Sequence, residues 1–345
     1  MRRLLLLLAL IVPLILLAVL RRPDADPRFE DRGTWPVMGT FLHVRAIATD
    51  TMAAAAAVRA AHDAVFRVDS LMSTYRPESE ISRLNARAGS GSWQPLSRES
   101  ITVLQAAQRA AEASGGAFDI GVGPLMEAWG FRTPRRGRPA ERVLDSARAL
   151  VDYRALEIDS AGGRARLARP GMAIDLGAIA KGHALDLAAA GMRAAGADAG
   201  MVDLGGNVFV YGAPGAKRGA WTIGILDPAD TDRTLGTIAL REGSVATSGD
   251  YEQFFEYEGI RYSHIMDPRS GQPARGTAQV TVAAPTGLQA DVLSTMLFVL
   301  GPGAGRAQLA GPLGAGAAAL WIPDPESGPA EPVLAGADTA RFRLH

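Results

Sequence analysis

The most informative part of the chain is MAIDLGAIAKGHALDLAAAGMRAAGADAGMVDLGGNVFVYG, residues 172–212. Its first five residues, MAIDL, are mostly apolar and predict a strand. An alanine-rich helix is expected from about Ala178 to Ala195. The residues GMVDLGGNVFVYG then predict another strand, because apolar and β-branched residues dominate them. We therefore expect a strand–helix–strand unit in this part of the chain.

Helix and strand signals continue on both sides of this unit. Asp50 is suited to cap a helix that runs to about Leu71, and Ser97 a helix over about 98–113. Four further segments predict strands and a fifth predicts a long helix: Val37–Ala48, Trp221–Asp227, Thr237–Leu240, Gln279–Ala284 and Gly287–Leu300. No strong boundary interrupts residues 35–345, so we expect one α+β domain with a mixed β-sheet flanked by helices.

The composition excludes several classes of protein. The 345 residues are 48% hydrophobic and 21% charged, as in a globular protein rather than a disordered one. The 36 basic residues equal the 36 acidic ones, which argues against a broad basic surface for nucleic acid. The chain has no cysteine, so thiol catalysis, disulfides, thiolate metal sites and a lipid-modified cysteine are excluded.

The N-terminus predicts a membrane segment. Residues Leu4–Leu20 are apolar apart from Pro13 and are flanked by arginine pairs. As a helix they would be ~26 Å long, close to the thickness of a bilayer core. We expect residues 1–22 to be a retained anchor, with a cleaved signal peptide as the alternative, and residues 23–34 to be a linker. The charge distribution favours a body outside the cytoplasm, on the inner membrane and facing the periplasm or the cell exterior.

A first candidate site lies at the junction of the predicted strand and helix. Asp175 ends the strand, Gly177 makes a turn, and Lys181 follows in the first turn of the helix. The N-terminus of a helix attracts phosphate groups through its free N–H groups and its dipole. The spacing is not that of a Walker motif. This stretch therefore predicts either a phosphate site or an ordinary strand-to-helix turn.

A second candidate site lies in the predicted C-terminal helix. Asp291, Ser294 and Thr295 have i, i+3 and i+4 spacing, which places their oxygen atoms on one face of the helix. A carboxylate in so apolar a helix needs a partner, and oxygen ligands suit Mg²⁺. The alternative is that Asp291 is a charge that stabilises the first turn of the helix.

Two further stretches carry polar residues or glycines. ATSGDY (246–251) and YSHIMDP (262–268) are expected at the ends of a hairpin, where His264 is either a general base or a polar residue with a structural partner. Residues 115–124 resemble a dinucleotide-binding loop, but they follow a helix instead of opening one. A glycine-lined loop with Phe118 could still hold a flat ring against its backbone. The arginine-rich stretch 132–142 is either a phosphate or acceptor contact or a solvated loop.

Eight blocks of the sequence resemble, in order, the signature motifs of the ApbE family of flavin transferases. The blocks are VMGT (37–40), STYRPESEISRLN (73–85), GGAFDIGVGPL (115–125), IDLGAIAKG (174–182), VDLGGN (202–207), ATSGDYE (246–252), SHIMDPRSGQPA (263–274) and ADVLST (290–295). The resemblance implies an ApbE-like domain that uses FAD as substrate and Mg²⁺ as cofactor. It also implies transfer of FMN to a threonine hydroxyl of an acceptor protein, with release of AMP.

Residue roles follow from the same resemblance. It implies that Mg²⁺ is bound by the Ala178 carbonyl, Asp291 and Thr295, with Ser294 close by. The implied FAD contacts are Met38, Tyr75, Ala117, Phe118, Asp119, Asp175, Lys181 and Ile265. His264 matches the candidate catalytic histidine of the family, Lys181 would stabilise developing charge, and Asp175 is an alternative base.

The resemblance also suggests partners and leaves other functions open. The implied acceptors are flavoproteins with a Ser/Thr-rich flavinylation motif, such as subunits of Na⁺-translocating NADH:quinone reductase or Rnf-type complexes. The same pocket would serve a Mg²⁺-dependent FAD pyrophosphatase if water replaced the acceptor. A membrane-associated protein that binds flavin without catalysis is the third reading.

Overall fold

The computed structural model describes residues 28–133, 137–215, 219–325 and 331–345. The expected membrane segment lies outside these ranges, and so do the first residues of the expected linker and residues 134–136 of the arginine-rich stretch. Within the described ranges, no helix is both long enough and apolar enough to cross a membrane.

Seven α-helices form within those ranges. They are α1 (Thr51–Met72), α2 (Glu80–Ala86), α3 (Arg98–Ala113), α4 (Gly123–Ala128), α5 (Glu141–Arg148), α6 (Ala180–Ala194) and α7 (Gly287–Ala310). The expected caps of α1 and α3 are confirmed: Asp50 accepts from the N–H of Ala53 (2.8 Å) and Ser97 from that of Ser100 (3.3 Å). Helix α7 extends beyond its predicted end, across a break at Gly301.

Eighteen strands form within the described ranges. They are β1 (Phe29–Val37), β2 (Thr40–Ala48), β3 (Gln94–Pro95), β4 (Leu156–Asp159), β5 (Arg164–Leu167), β6 (Ala199–Leu204), β7 (Asn207–Tyr211), β8 (Trp221–Asp227), β9 (Asp230–Leu240), β10 (Gly243–Gly249), β11 (Phe254–Tyr257), β12 (Ile260–Ser263), β13 (Met266–Asp267), β14 (Gln272–Pro273), β15 (Thr277–Ala284), β16 (Ala318–Pro323), β17 (Val333–Gly336) and β18 (Phe342–Leu344).

The main sheet has eight strands in the order β1-β2-β6-β7-β10-β15-β16-β17. Every neighbouring pair among these strands is antiparallel, so the expected mixed sheet is corrected to an antiparallel one. Some neighbouring strands are joined directly by short turns, and others are connected by long segments that contain further helices and strands. The α+β class is confirmed, because the helices are segregated from an antiparallel sheet.

The segment MAIDL (172–176) is not a strand, although buried and half-buried residues alternate along it. The Asn85 side chain makes hydrogen bonds to both backbone groups of Ile174, and the N–H of Asp175 donates to the carbonyl of Ile120. These partners satisfy the backbone groups that a neighbouring strand would otherwise bind. The unit predicted as strand–helix–strand is therefore a segment that is not a strand, helix α6 and the hairpin β6–β7.

The N-terminal part of the domain is also corrected. Residues 29–34, which the sequence places in the linker, form the first part of β1, and this strand pairs with β2 over its whole length. The single strand predicted over Val37–Ala48 is interrupted by a hairpin turn. Val37 ends β1, Met38 and Gly39 turn the chain with φ values of 53° and 74°, and β2 begins at Thr40. Positive φ at both turn residues is the geometry of a type I′ hairpin turn.

The main sheet is covered on both faces. Helices α1, α6 and α7 pack against one face, where Phe209 and Tyr211 of β7 join the larger core. The three-stranded sheet β8–β9–β18 covers the other face, where Val208 and Val210 join a second core. Strand β7 is buried along its entire length because it lies between these two layers.

The strand register brings several loops to one end of the main sheet. The Met38–Gly39 turn lies beside the Gly205–Gly206 turn, because β2 and β6 pair as far as Leu42 and Leu204. Strand β10 runs past the start of β7 and ends at Gly249, opposite Gln279. We call this end of the sheet the site end.

Helices α6 and α7 meet at glycines near their N-termini. A Cβ atom added at Gly182 would lie 2.2 Å from the carbonyl oxygen of Gly287, and one added at Gly287 would lie 2.3 Å from that of Gly182. Asp186 of α6 accepts from the N–H groups of Gly287 (2.6 Å) and Leu288 (2.9 Å). The first turn of α7 is thus capped by a carboxylate of α6.

We expect Gly182→Ala to lower the free energy of unfolding by about 1–3 kcal/mol, because the helices must separate to admit the methyl group. The control is Gly303→Ala in α7, where the new Cβ would contact no heavy atom within 4 Å. Urea unfolding of both variants measures the difference. Equal stability of Gly182→Ala and the wild type would contradict the close approach of the two helices.

Candidate functional site

Asp291 is the buried centre of the site end. Its side chain is only 4% exposed, and its Oδ2 accepts from the N–H of Gly182 while its Oδ1 accepts from Nδ2 of Asn207, both at 2.8 Å. Burial raises the pKa of Asp291, whereas the charge of Lys181 and these two hydrogen bonds lower it. The carboxylate therefore connects α7 with the start of α6 and the start of β7.

Three hydroxyl groups lie on the same side of α7. The Ser294 hydroxyl donates to the carbonyl of Asp291 (2.9 Å). Ser248, near the end of β10, places its Oγ 2.9 Å from the Ser294 Oγ and 3.2 Å from the Thr295 Oγ1. The structure thus brings Asp291, Ser294 and Thr295 onto one face of α7, as their spacing predicts, and adds Ser248 from the sheet.

The start of α6 leaves a backbone carbonyl available. In a regular helix the N–H of Gly182 would donate to the carbonyl of Ala178. Here that N–H donates to Asp291 instead. Among the described residues, no hydrogen bond outside the helices and strands uses the Ala178 carbonyl as acceptor. A carbonyl oxygen in the turn before α6 is therefore free for another ligand.

These donors suit Mg²⁺. The described residues contain no group of three or more His, Asp or Glu side chains arranged to hold a metal. The candidate set combines one carboxylate (Asp291), the Thr295 hydroxyl and the Ala178 carbonyl, all of them the oxygen ligands that Mg²⁺ prefers. A buried carboxylate also needs a positive partner. The residues fit the cation, which keeps part of its shell for water and substrate phosphate.

Lys181 is a cation that acts on several acidic groups of the site end. Its charge lowers the pKa values of Asp291, Glu252 and Asp203, although burial is the larger influence on each and raises them. Lys181 forms no ion pair within 4.0 Å among the described residues. Its ammonium group is therefore available to a further anion, such as a phosphate group.

His264 follows β12, and its backbone N–H and its Nδ1 both lie within hydrogen-bond distance of the Gln253 carbonyl (2.9 and 3.1 Å). The ring is partly exposed at the surface, but the surrounding protein still lowers its pKa to about 4 by desolvation. The hydrogen bond to the Gln253 carbonyl raises this pKa, and so does the negative charge of Asp175. The positive charge of Lys181 lowers it. His264 is consequently neutral at physiological pH, and with Nδ1 facing the Gln253 carbonyl its Nε2 carries the free lone pair.

Asp175 is held by two partners. Its Oδ1 accepts from the N–H of Gly177 (2.8 Å), and its Oδ2 forms an ion pair with Nη2 of Arg132. The same Nη2 donates to the Thr74 hydroxyl at 3.1 Å. Asp175 is therefore a fixed carboxylate whose charge is paired with a guanidinium group.

The predicted flavin contacts differ in how much of them is accessible. Tyr75 is 79% exposed and offers a ring face, and Met38 has a left-handed backbone at the β1–β2 turn. A non-glycine residue with positive φ is strained, and such strain clusters at functional sites. In contrast, Ala117, Phe118 and Ile265 are buried, with at most 4% of each residue exposed.

Asp119 is oriented toward protein backbone. Its Oδ1 accepts from the N–H of Gly121 (2.7 Å) and its Oδ2 from that of Tyr153 (2.9 Å). Burial raises the pKa of Asp119 to about 6, although these two hydrogen bonds act in the opposite direction. Its carboxylate holds the 115–125 loop in shape. Asp119 would therefore affect flavin binding through the conformation of this loop.

Asn207, Ser248 and Arg132 were not identified as site residues from sequence. Asn207 and Ser248 belong to the VDLGGN and ATSGDYE blocks, so their motif membership was an available signal. Their contacts with Asp291 and Ser294 span 84 and 46 positions of the chain, and no local pattern encodes such pairs. Arg132 begins the arginine-rich stretch 132–142, for which a phosphate or acceptor contact is one of the two interpretations, but its pairing with Asp175 has no local signal.

Asp119 predicts a pH dependence of stability. The carboxyl ionises near pH 3.8 in the unfolded chain and near 6 in the folded protein, so the folded state binds the proton more tightly. The free energy of unfolding therefore falls as pH rises from 4 to 6, by up to about 3 kcal/mol. Asp119→Asn removes this fall. Urea unfolding of both proteins at several pH values should show the variant gaining relative stability with pH, and a constant difference would contradict the assignment.

Comparison with known proteins identifies the family. The ApbE family model matches residues 38–320. The protein named FAD:protein FMN transferase of Treponema pallidum (strain Nichols) is 36% identical over 283 residues, which cover 77% of each chain. The protein of the same name from Vibrio cholerae serotype O1 is 33% identical over 307 residues, which cover 87% of this chain and 89% of the relative.

Solved structures agree with the sequence relatives. The flavin transferase ApbE from Vibrio cholerae superposes with a TM-score of 0.79 at 30% identity and covers 92% of this chain and 100% of its own. The apo form of the flavinyl transferase ApbE of Pseudomonas stutzeri gives a TM-score of 0.78 at 31% identity and covers 92% and 97%. The match over most of the sequence and the shared fold show that this chain belongs to the ApbE family.

Proposed function

We propose that this protein is an FAD:protein FMN transferase that moves the FMN half of FAD onto a threonine hydroxyl of an acceptor protein and releases AMP. The observation that supports this most directly is the convergence of Asp291, Thr295, Lys181 and His264 at one end of the sheet in a member of the ApbE family. A protein that only stored flavin would need neither an oxygen-ligand cluster nor a neutral histidine.

Asp291, Thr295 and the Ala178 carbonyl would hold Mg²⁺, with Ser294 fixed beside them by Ser248. When bound, Mg²⁺ would neutralise charge on the diphosphate and make the phosphorus more electrophilic. Asn207 and the N–H of Gly182 keep the Asp291 carboxylate in one orientation, so the protein supplies a preformed site.

FAD would lie along the site end of the sheet. Tyr75 would stack on a ring of the flavin or adenine, and Met38 would pack against it. The backbone groups of Ala117, Phe118 and Ile265 would line the pocket. The hydrogen bonds of Asp119 would hold the 115–125 loop, which contains the first two of these residues, in place. Lys181 would contact the diphosphate, since it is a cation near the start of α6 without an ion-pair partner among the described residues.

The transfer itself requires one proton acceptor and one stabilised leaving group. His264 would take the proton of the acceptor threonine as its oxygen forms a bond to the flavin-side phosphorus. The bond from that phosphorus to the bridging oxygen breaks, and AMP leaves with the electron pair. Lys181 would stabilise the negative charge that develops. His264 is favoured over Asp175 as the base because Arg132 already pairs with Asp175.

The same proposal includes a location and a class of partner. Residues 4–20 would anchor the chain in the inner membrane, with the domain facing the periplasm or the cell exterior. The acceptor would be a flavoprotein with a Ser/Thr-rich flavinylation motif, for which subunits of Na⁺-translocating NADH:quinone reductase or Rnf-type complexes are candidates. Neither the membrane nor the acceptor contributes to the contacts described above.

The first test uses the full-length chain with FAD, Mg²⁺ and a candidate acceptor domain. We expect the intact mass of the acceptor to rise by one FMN unit, with equimolar AMP, and EDTA to abolish both. Asp291→Ala should lower turnover about a hundredfold or more and remove its dependence on Mg²⁺. Release of FMN and AMP with an unmodified acceptor would favour a pyrophosphatase, and bound FAD without AMP would favour a binding protein.

A second test concerns the pH dependence of kcat/KM for FAD. Because the pKa of His264 is about 4, this base is already neutral at pH 5, and its titration adds no inflection between pH 5 and 8. His264→Ala should lower kcat about a hundredfold across this range. The contradicting result is an inflection near pH 6.5 in the wild type that is absent from the variant.

A further inference from the structure

Arg132 joins three separate segments at the site end. Its Nη2 pairs with Asp175 in the turn before α6 and donates to Thr74, the neighbour of Tyr75. The side chains of Arg132 and Asp175 are each 20% exposed, so their pair is shielded from solvent more than a surface salt bridge. The Nε of Arg132 is buried and has no hydrogen-bond partner among the described residues.

One negative charge lies directly beside Arg132, the carboxylate of Asp175. The other carboxyl groups of the site end, those of Asp291, Glu252 and Asp203, lie close enough to Lys181 for its charge to act on all three. A diphosphate that approaches Asp175 would be repelled by its carboxylate if that charge were unpaired. The guanidinium group offsets this charge and keeps further N–H donors, of which Nε is one.

We propose that Arg132 is a specificity-determining residue of this chain, which makes the site selective for flavins that carry phosphate groups. It does so by offsetting the charge of Asp175 next to the Tyr75 platform. This inference rests on the proposed function, since it assumes that the flavin ring binds at Tyr75 and the diphosphate near Asp175 and Lys181. It concerns the recognition of the substrate and not the transfer step.

The proposal separates two effects of removing Arg132. If Arg132 acts through charge, Arg132→Ala weakens the binding of FAD but not that of riboflavin, which has the same ring system and no phosphate. If Arg132 only holds Thr74 and thereby Tyr75 in place, both ligands weaken equally. Comparing the two ligands therefore reports a property that a purely structural role would not change.

The experiment measures the Kd values of FAD and riboflavin for the full-length protein by quenching of flavin fluorescence, in EDTA so that no turnover occurs. We expect Arg132→Ala to weaken FAD about tenfold and riboflavin less than about twofold, as for loss of one charge-assisted contact. Arg132→Lys should restore most of the FAD affinity, because the charge is retained. The matched control is Arg142→Ala, an exposed arginine of the same stretch, which should change neither Kd.

Kinetics provide a second readout with Mg²⁺ and acceptor present. Arg132→Ala should raise KM for FAD about tenfold and leave kcat within about threefold, since the residue acts in binding. Unchanged FAD affinity, or equal weakening of FAD and riboflavin, would overturn the inference while leaving the transferase proposal intact. Failure of the wild type to bind FAD at all would instead overturn the proposed function.

Discussion

The site depends on the reciprocal capping of two helices. Asp186 of α6 caps the first turn of α7, and Asp291 of α7 accepts from Gly182 near the start of α6. These three hydrogen bonds require the helices to approach as closely as their backbones allow, which only glycine at 182 and 287 permits. Because each carboxylate lies at the positive end of the other helix, the dipoles stabilise both. The same contact frees the Ala178 carbonyl and directs Asp291 toward the sheet.

The reciprocal caps also determine the electrostatics. Capping alone requires little of Asp291 beyond one hydrogen bond, yet the residue is almost completely buried and also binds Asn207. A buried carboxylate compensated only by hydrogen bonds and the charge of Lys181 has a raised pKa. Its protein neighbours therefore compensate the Asp291 carboxylate only in part, and the magnesium ion proposed above would supply the missing positive charge. A structural cap by itself gives no reason for the adjacent hydroxyl groups of Ser248 and Thr295.

How much could be predicted from sequence depended on the distance along the chain between interacting groups. The caps at Asp50 and Ser97 and the i, i+3, i+4 face of α7 are local patterns, and the structure confirms them. The segment MAIDL has the composition of a strand, but Asn85, some 89 positions earlier, takes its hydrogen bonds. The alternation in β1 was masked by its polar residues, since the strand lies at the edge of the sheet. Contacts such as Arg132 with Asp175 arise only after folding and had no local sequence signal.

The burial of individual site residues determines what a loss of activity can mean. Tyr75, Lys181 and His264 present side-chain atoms that a substrate can reach, so substitutions there test contact directly. Phe118 and Asp119 are buried, and both carboxylate oxygens of Asp119 accept hydrogen bonds from backbone N–H groups. A substitution at either of these would change the shape of the 115–125 loop before it removed any contact with FAD. The family resemblance treats all of these positions alike, but the structure separates accessible side chains, at Tyr75, Lys181 and His264, from the buried ones at Phe118 and Asp119.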